Sequence, residues 1–336
     1  MMVRLMAAQD DIVLGADPGP GAYTTPRLLP VRPVLWPPFG RTERYMAGVI
    51  ARLRTLRPPL IEVHNRANLA RDIARALPDS RVVLFLHNDP QAMRAAGTAA
   101  DRAALLARMT VVCVSDYLRA RFAEGLPQGA GPIHHLPNAI DLAALPPPLP
   151  AYMRAPTFLF VGRAVADKGA DAFVRAFAAI SSRLPAWRAV LIGADRFRPH
   201  SPDTSYLRAL RPAAKAAGVL MQGHLPHTAV LDAMARAAIV VVPSRWPEPF
   251  GLTALEAMAS GAALICAPTG GLPEVAGDTA LYAPPDPPGA LEDAMLTLAQ
   301  NPTQRAELAA AGQARARLFD APAARARLQA LRAATG

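Results

Sequence analysis

The sequence predicts an α/β protein made of two successive parallel-sheet domains, on three observations. The chain has 336 residues, about twice the roughly 150 residues of a typical domain. Short, almost wholly apolar runs alternate with segments of helical periodicity, the pattern of strands covered on both faces by crossover helices. A proline cluster from Pro146 to Pro150 then divides this alternation into two series.

Residues 1–40 are proline-rich and show little periodicity. An amphipathic helix is expected from Arg41 to Arg57, with Tyr45, Val49, Leu53 and Leu56 on one side. PLIEVHN, VVLFLHND and VVCVSD read as strands, separated by helical stretches at 67–77, 92–108 and 117–124. Beyond the prolines, TFLFVG, AVLIG, VLMQG, IVVVPS and ALICAP read as strands, with helices at 170–184, 205–217, 229–237 and 253–260 between them. The Ala- and Arg-rich tail from Thr303 to Ala333 reads as helix with no strand after it, and is expected to pack across the domains. The expected layout is an N-terminal domain over 1–145, a C-terminal domain over 151–302 and the tail helix over 303–336. This is a twin Rossmann-like architecture, in which ligands belong at the carboxyl ends of the strands, in an interdomain cleft.

Composition narrows the function classes. The net charge is +10 and almost all the cations are arginine, Lys168 and Lys215 being the only lysines. Residues 1–150 carry 17 basic and 12 acidic side chains and residues 151–336 carry 19 and 14, an excess of five in each half. A dispersed excess suits anionic small partners or a phospholipid surface better than nucleic acid, and neither zinc-type Cys/His spacing nor aromatic–basic interleaving is present. No apolar run reaches the roughly 18–20 residues needed to span a bilayer, and the first residues do not read as a signal peptide. Cys113 and Cys266 lie in apolar, strand-like runs and are expected as buried free thiols, which fits a reducing compartment.

Two constellations carry chemistry. In FLFVGRAVADKGADAF a strand ends at Gly162, Arg163 follows, and Lys168-Gly169 precedes a helix. Two cations held together at a strand's end suit an anion such as a diphosphate; the spacing alone also suits solvated loop charges. In VVVPSRWPEPFGLTALEAMASG, Glu248 lies in a loop stiffened by its flanking prolines, and Glu256 lies eight residues on, inside a helix starting near Gly251. Phe250, Gly251 and Leu252 would present backbone N–H groups at that helix N-terminus, a ready anion site. Glu248 is placed to accept hydrogen bonds from sugar hydroxyls and Glu256 from a ribose diol. Alone, Glu256 would read as an ordinary helix-face carboxylate.

The run PEPFGLTALEAMASGAALICAPTGGLPEVAGDTALYAP resembles the signature of the retaining nucleotide-sugar glycosyltransferases of family 4. The E-x7-E motif of that family falls on Glu248 and Glu256, and its G-R-x4-K-G motif on Gly162, Arg163, Lys168 and Gly169. The resemblance spans residues 110–300 approximately and includes LPNAID before the proline cluster. It implies a GT-B fold of two Rossmann-like domains, with the donor on the C-terminal domain and the acceptor on the N-terminal one. It implies a hexose or N-acetylhexosamine taken from a nucleoside-diphosphate sugar to a glycan or glycolipid, in envelope polysaccharide or lipopolysaccharide synthesis. It also implies no cofactor and no metal, because Arg163, Lys168 and the helix N-terminus neutralise the diphosphate. The family often places a histidine near the transferred sugar at the end of the second such N-terminal strand, which falls on His87; His64 ends the strand before it. The expected location is cytoplasmic, with peripheral contact at the inner membrane face and no nucleic-acid partner.

The sequence departs from the family in two places. No opening strand is clear in residues 1–40, where GADPGPGAY is the nearest candidate for the family's Gly-rich loop, and Ala139 stands where the family commonly has glycine. A sugar-nucleotide epimerase of the same fold would need further acidic and histidine residues at the anomeric centre, which the sequence does not arrange. A non-catalytic envelope-assembly protein would fit the abbreviated N-terminus but not the intact motifs.

Overall fold

The computed structural model describes residues 5–8, 10–15, 27–34, 40–196 and 200–334. The chain forms two compact units. One comprises Met1–Ala139 and Ala321–Gly336, the other Ile140–Asp320. Each is built on a parallel sheet with flanking helices, the α/β architecture expected from the alternation of apolar runs.

The first unit opens with β1 (Ile12–Gly15) and β2 (Arg27–Pro30), a parallel pair in the stretch where no strand was legible. The candidate Gly-rich loop lies outside the described residues from Ala16 onward. Helix α1 (Arg41–Leu56) buries Met46, Val49 and Leu53. Then follow β3 (Leu60–His64), α2 (Ala67–Ala76), β4 (Arg81–Leu86), α3 (Ala99–Leu106), β5 (Thr110–Cys113), α4 (Asp116–Ala123) and β6 (Ile133–His135). β3 to β6 form one four-stranded parallel sheet in chain order. Val82 to Leu86 are buried without a break, as a strand covered on both faces requires. Helix starts are set by side chains: Thr98 and Asp101 form a reciprocal cap on α3, and the Ser115 hydroxyl accepts from the Leu118 N–H at the start of α4.

The chain passes into the second unit at Ile140, ahead of the proline cluster. Its elements are β7 (Ala155–Val161), α5 (Ala170–Ile180), β8 (Arg188–Ile192), α6 (Ser205–Ala216), β9 (Val219–Gly223), α7 (His227–Arg236), β10 (Ala237–Val242), α8 (Leu252–Ala259), β11 (Ala263–Cys266), α9 (Leu272–Ala276), β12 (Ala280–Tyr282), α10 (Ala290–Gln300) and α11 (Pro302–Ala316). The strands make a six-stranded parallel sheet in the order β12-β11-β10-β7-β8-β9. Its core contains Phe158, Phe160, Phe173 and Phe177, and Trp187 packs tilted against Phe158 with ring centroids 4.6 Å apart. Cys113 and Cys266 are buried free thiols, and burial pushes each up to about 12.

The tail differs from the single helix expected. α11 ends at Ala316, a tight turn covers Arg317–Phe319, and α12 (Ala321–Ala334) begins afresh in the first unit. The chain leaves helical geometry at Asp320, which is extended with ψ at 144°, and Pro322 falls in the first turn of α12, where a proline is tolerated. In the first unit Leu328 of α12 joins Val83, Phe85, Val112 and Leu136 in the core. Arg332 of the same helix makes two bonds of 2.8 and 2.7 Å to the Glu62 carboxylate.

Candidate functional site

In the second unit, β7 and β10 are hydrogen-bonded neighbours although β8 and β9 lie between them in sequence. The chain winds away from β7 to one side, then returns and winds to the other. At such a switch point the loops at the carboxyl ends of the two strands part, and parallel sheets bind ligands there. The loops in question are residues 162–169 after β7 and 243–251 after β10, the two stretches that carry the sequence motifs.

Backbone and side chains tie these loops together. The Asp167 carbonyl accepts from the Arg245 N–H at 2.8 Å and the Trp246 N–H at 2.9 Å. The Arg245 guanidinium donates to the Ala166 carbonyl at 2.8 Å and to both Asp171 oxygens at 2.7 and 2.9 Å. It also donates to Asp286 Oδ2 at 2.5 Å. Burial pushes the Asp171 carboxyl up, but bonds from Arg245 and Tyr206 outweigh it and hold the group below its ordinary range. Asp286 is held low chiefly by its hydrogen bond from Arg245.

This frame brings Lys168 and Glu248 together. Lys168 Nζ lies 2.5 Å from Glu248 Oε1, and the Ser244 hydroxyl donates to the same oxygen at 2.9 Å. The two side chains are only 21% and 15% exposed, so solvent screens the pair far less than a surface pair. An ammonium has three N–H donors, and one bond to Glu248 leaves two for a further acceptor. Glu248 Oε2 accepts no protein hydrogen bond among the described residues and remains open to a donor hydroxyl. Behind Glu248, its backbone carbonyl accepts from the Gly271 N–H at 2.7 Å, and a Cβ at Gly270 would overlap Glu248 backbone atoms.

Glu256 sits on α8 and is itself buried, with its side chain 10% exposed. Oε1 lies 2.8 Å from His227 Nε2 at the start of α7. The hydrogen bond to Glu256 is the main cause that raises the His227 imidazole above its ordinary value. Gly251 caps α8 with a positive φ of 109° and supplies no side-chain acceptor, so the first-turn N–H groups at Leu252 and beyond face outward from the helix end. The Phe250 ring is buried and packs edge-on against Phe319 at 5.8 Å. Its backbone, not its ring, is the group it offers a ligand. Arg163 follows Gly162 at the end of β7, half-buried, with no ion-pair partner among the described residues.

His87 lies in the first unit, directly after β4. Its Nε2 is 3.0 Å from His64 Nδ1, and His64 in turn stacks on Phe85 with ring centroids 4.8 Å apart. Burial lowers both imidazoles to about 4, helped by Arg332 at His64 and by His64 at His87, so both are neutral near pH 7. A cavity of about 40 Å³, lined by Glu62, His64, Phe85, His87, Asn138 and Leu328 among others, adjoins the pair. Such a volume holds about two or three waters. The Asn65 side-chain oxygen accepts the His87 and Asn88 N–H groups at 3.1 Å each and fixes the strand-end turn.

The structure thus brings Lys168 and Glu248 together and places Glu256 on α8, and it adds Ser244, Arg245, Asp171, His227 and the Gly270-Gly271 buttress, which the sequence reading did not single out. Ser244, Arg245 and the two glycines have a local signal only in their proximity to the motifs, in PSRWPEPFG and PTGGLPEV, Asp171 follows the lysine motif closely, and His227 has none.

A parallel sheet whose switch point carries a lysine turn and a glutamate loop, in a chain with a second parallel-sheet unit, belongs to the GT-B class of folds. The family model described as glycosyl transferases group 1 matches residues 144–315, and that of glycosyltransferase family 4 matches residues 3–144. The chain belongs to the glycosyl transferases group 1 family, which bears out the resemblance carried by the two motifs. Among curated relatives, it is 26% identical over 235 residues to lipopolysaccharide 1,2-N-acetylglucosaminetransferase of Salmonella typhimurium, covering 66% of this chain and 58% of that protein. The chain spans about three-fifths of the length of the curated relatives it matches. Sucrose-phosphate synthase of Thermosynechococcus elongatus has the same fold, with a TM-score of 0.76 at 22% identity over 96% of this chain and 87% of that one. So does Anabaena HepE, solved with UDP and glucose, with a TM-score of 0.74 at 19% identity over 92% and 86%.

Proposed function

We propose that the chain is a retaining glycosyltransferase that moves a hexose or N-acetylhexosamine from a nucleoside-diphosphate sugar to a glycan or glycolipid. The observation that carries this reading is the 2.5 Å contact of Lys168 with Glu248, which joins motifs 80 residues apart at the switch point of one sheet. Lys168, Arg163 and the N–H groups at 250–252 receive the diphosphate. Glu248 holds the hexose hydroxyls and Glu256 the ribose. The second unit is the donor unit and the first the acceptor unit, where neutral His87 hydrogen-bonds the transferred sugar. The bond from the anomeric carbon to the diphosphate oxygen breaks, and the acceptor oxygen bonds to the same face of that carbon. The acceptor's proton passes to the departing diphosphate oxygen, so no protein base is needed. The Salmonella relative supports a place in lipopolysaccharide or envelope polysaccharide synthesis. No described helix is long and apolar enough to cross a membrane, and a cytoplasmic location with peripheral contact at the inner membrane face fits a glycolipid acceptor.

Paired substitutions test the division of labour. Glu256→Gln is expected to weaken a free nucleoside diphosphate and its nucleotide-sugar alike, because both carry the ribose. Glu248→Gln is expected to weaken only the nucleotide-sugar, by about 1.5–3 kcal/mol, the scale of a charged hydrogen bond. Calorimetric titrations with both ligands decide it; equal weakening of the two ligands by Glu248→Gln overturns the assignment.

Metal dependence gives a second check. With Lys168 and Arg163 facing the diphosphate, transfer is expected to persist in excess EDTA. Loss of activity in EDTA with recovery on adding Mg²⁺ or Mn²⁺ would overturn the cationic-site reading.

A further inference from the structure

His227 is unassigned by the motifs and lies at the donor site as read above, on which this inference rests. It is the first residue of α7, with Pro226 before it. The positive end of a helix is a poor place for a cation. Yet its ring meets a buried carboxylate, Nε2 to Glu256 Oε1 at 2.8 Å, while the ring itself is 52% exposed. A buried carboxylate with no partner would be costly. One bond from His227 satisfies Oε1, and Oε2 accepts no protein hydrogen bond among the described residues. The pair is therefore half-closed: one oxygen is taken by the protein and one is left.

We propose that His227 is a nucleotide-recognition residue, which fixes the Glu256 carboxylate so that a single oxygen meets the ribose and which, when protonated, adds a positive charge beside the anionic nucleotide. The surroundings make Glu256 its principal charged neighbour. α7 packs on β7, β10 and α8; β7 and β10 carry no ionisable side chain, and Glu256 is the only one on α8. On α7 itself, Asp232 and Arg236 lie more than one turn further along, and His224 is in the loop before it. The hydrogen bond to Glu256 raises the imidazole above its ordinary value. The charged form is thus present at mildly acid pH and is lost as pH rises through that raised value. Nucleotide affinity follows the same sign, higher at low pH and lower at high pH.

The test is calorimetric titration with UDP-glucose, GDP-mannose and ADP-glucose, whose diphosphates do not titrate near neutrality, using the tightest binder. The native chain is expected to bind about threefold to tenfold more tightly at about pH 5.5 than at about pH 8.5, the scale of one partly screened charge. His227→Gln keeps an N–H for Glu256 and is expected to retain the high-pH affinity with no pH dependence. His227→Ala, which leaves Oε1 without its donor, is expected to bind about tenfold more weakly than His227→Gln. If His227→Gln retains the native pH dependence, or His227→Ala binds as tightly as the native chain, the inference is overturned. Glu256→Gln separates the two levels. If it weakens binding while the His227 variants do not, His227 alone is misread; if it has no effect, or none of the three sugars binds, the ribose reading itself fails.

Discussion

Lys168→Ala is expected to lower turnover of the nucleotide-sugar by about 10²–10³-fold, or about 2.7–4 kcal/mol, the cost of removing one preorganised group from a developing anion. In the proposed reaction charge builds on the diphosphate as the anomeric bond breaks, and the Lys168 ammonium would be held in place before that happens. Ser244 and Lys168 share Glu248 Oε1, and the Asp167 carbonyl accepts from two backbone N–H groups, so the lysine is carried on a fixed turn. Ground-state affinity for the free nucleoside diphosphate is expected to fall less than turnover, because the extra charge appears only in the transition state. Single-turnover transfer or slow hydrolysis of the nucleotide-sugar, beside a thermal melt to show an intact fold, checks it. A loss in turnover no larger than the loss in affinity would remove Lys168 from catalysis and leave it a binding residue.

The largest effect on stability is expected at the neighbouring glycine. Gly169 ends the turn that carries Lys168, with φ at +71°, and a Cβ there would overlap the Pro243 carbonyl oxygen. That oxygen is backbone and belongs to the loop bearing Glu248. Gly169→Ala combines a left-handed residue, about 1–2 kcal/mol, with overpacking of about 1–3 kcal/mol. Gly218 isolates the first of these: it has the same φ of +71°, and a Cβ there would meet nothing within 4 Å. Gly218→Ala is therefore expected to cost only the conformational part. Denaturant unfolding of both variants, followed on a probe in the second unit, gives the difference. Equal destabilisation would mean that the close approach of the two loops carries no energy.

How much could be read in advance follows from what kind of signal each feature leaves. β4 and β10 were legible because unbroken apolar runs such as VVLFL and AAIVVV have no other home than a covered sheet. β6 and β12, with three residues each, and β1 with β2 among the prolines, leave no run long enough to show a period. The tail's helical composition was legible, but its division at Arg317–Asp320 was not drawn from it. Lys168 and Glu248 were singled out through motif spacing, and the structure brings them into contact. His227, Arg245 and Asp171 act through side-chain bonds between segments 29 to 79 residues apart, and such bonds leave no local pattern. The positive φ of Gly169 was hinted at by its place before a helix; its contact with Pro243 needed coordinates.

The Arg245 clamp has a consequence for anyone who would re-engineer donor choice. Arg245 draws on Ala166, Asp171 and Asp286, which come from two stretches of chain outside its own loop. A graft that imports residues 243–250 alone from a relative would bring a loop whose anchors stayed behind. The exchangeable module is the set of 166–171, 243–250 and the Asp286 turn, moved as one cassette. Libraries that vary the glutamate loop while keeping arginine at 245 and aspartate at 171 and 286 should retain far more folded members than those that randomise the clamp.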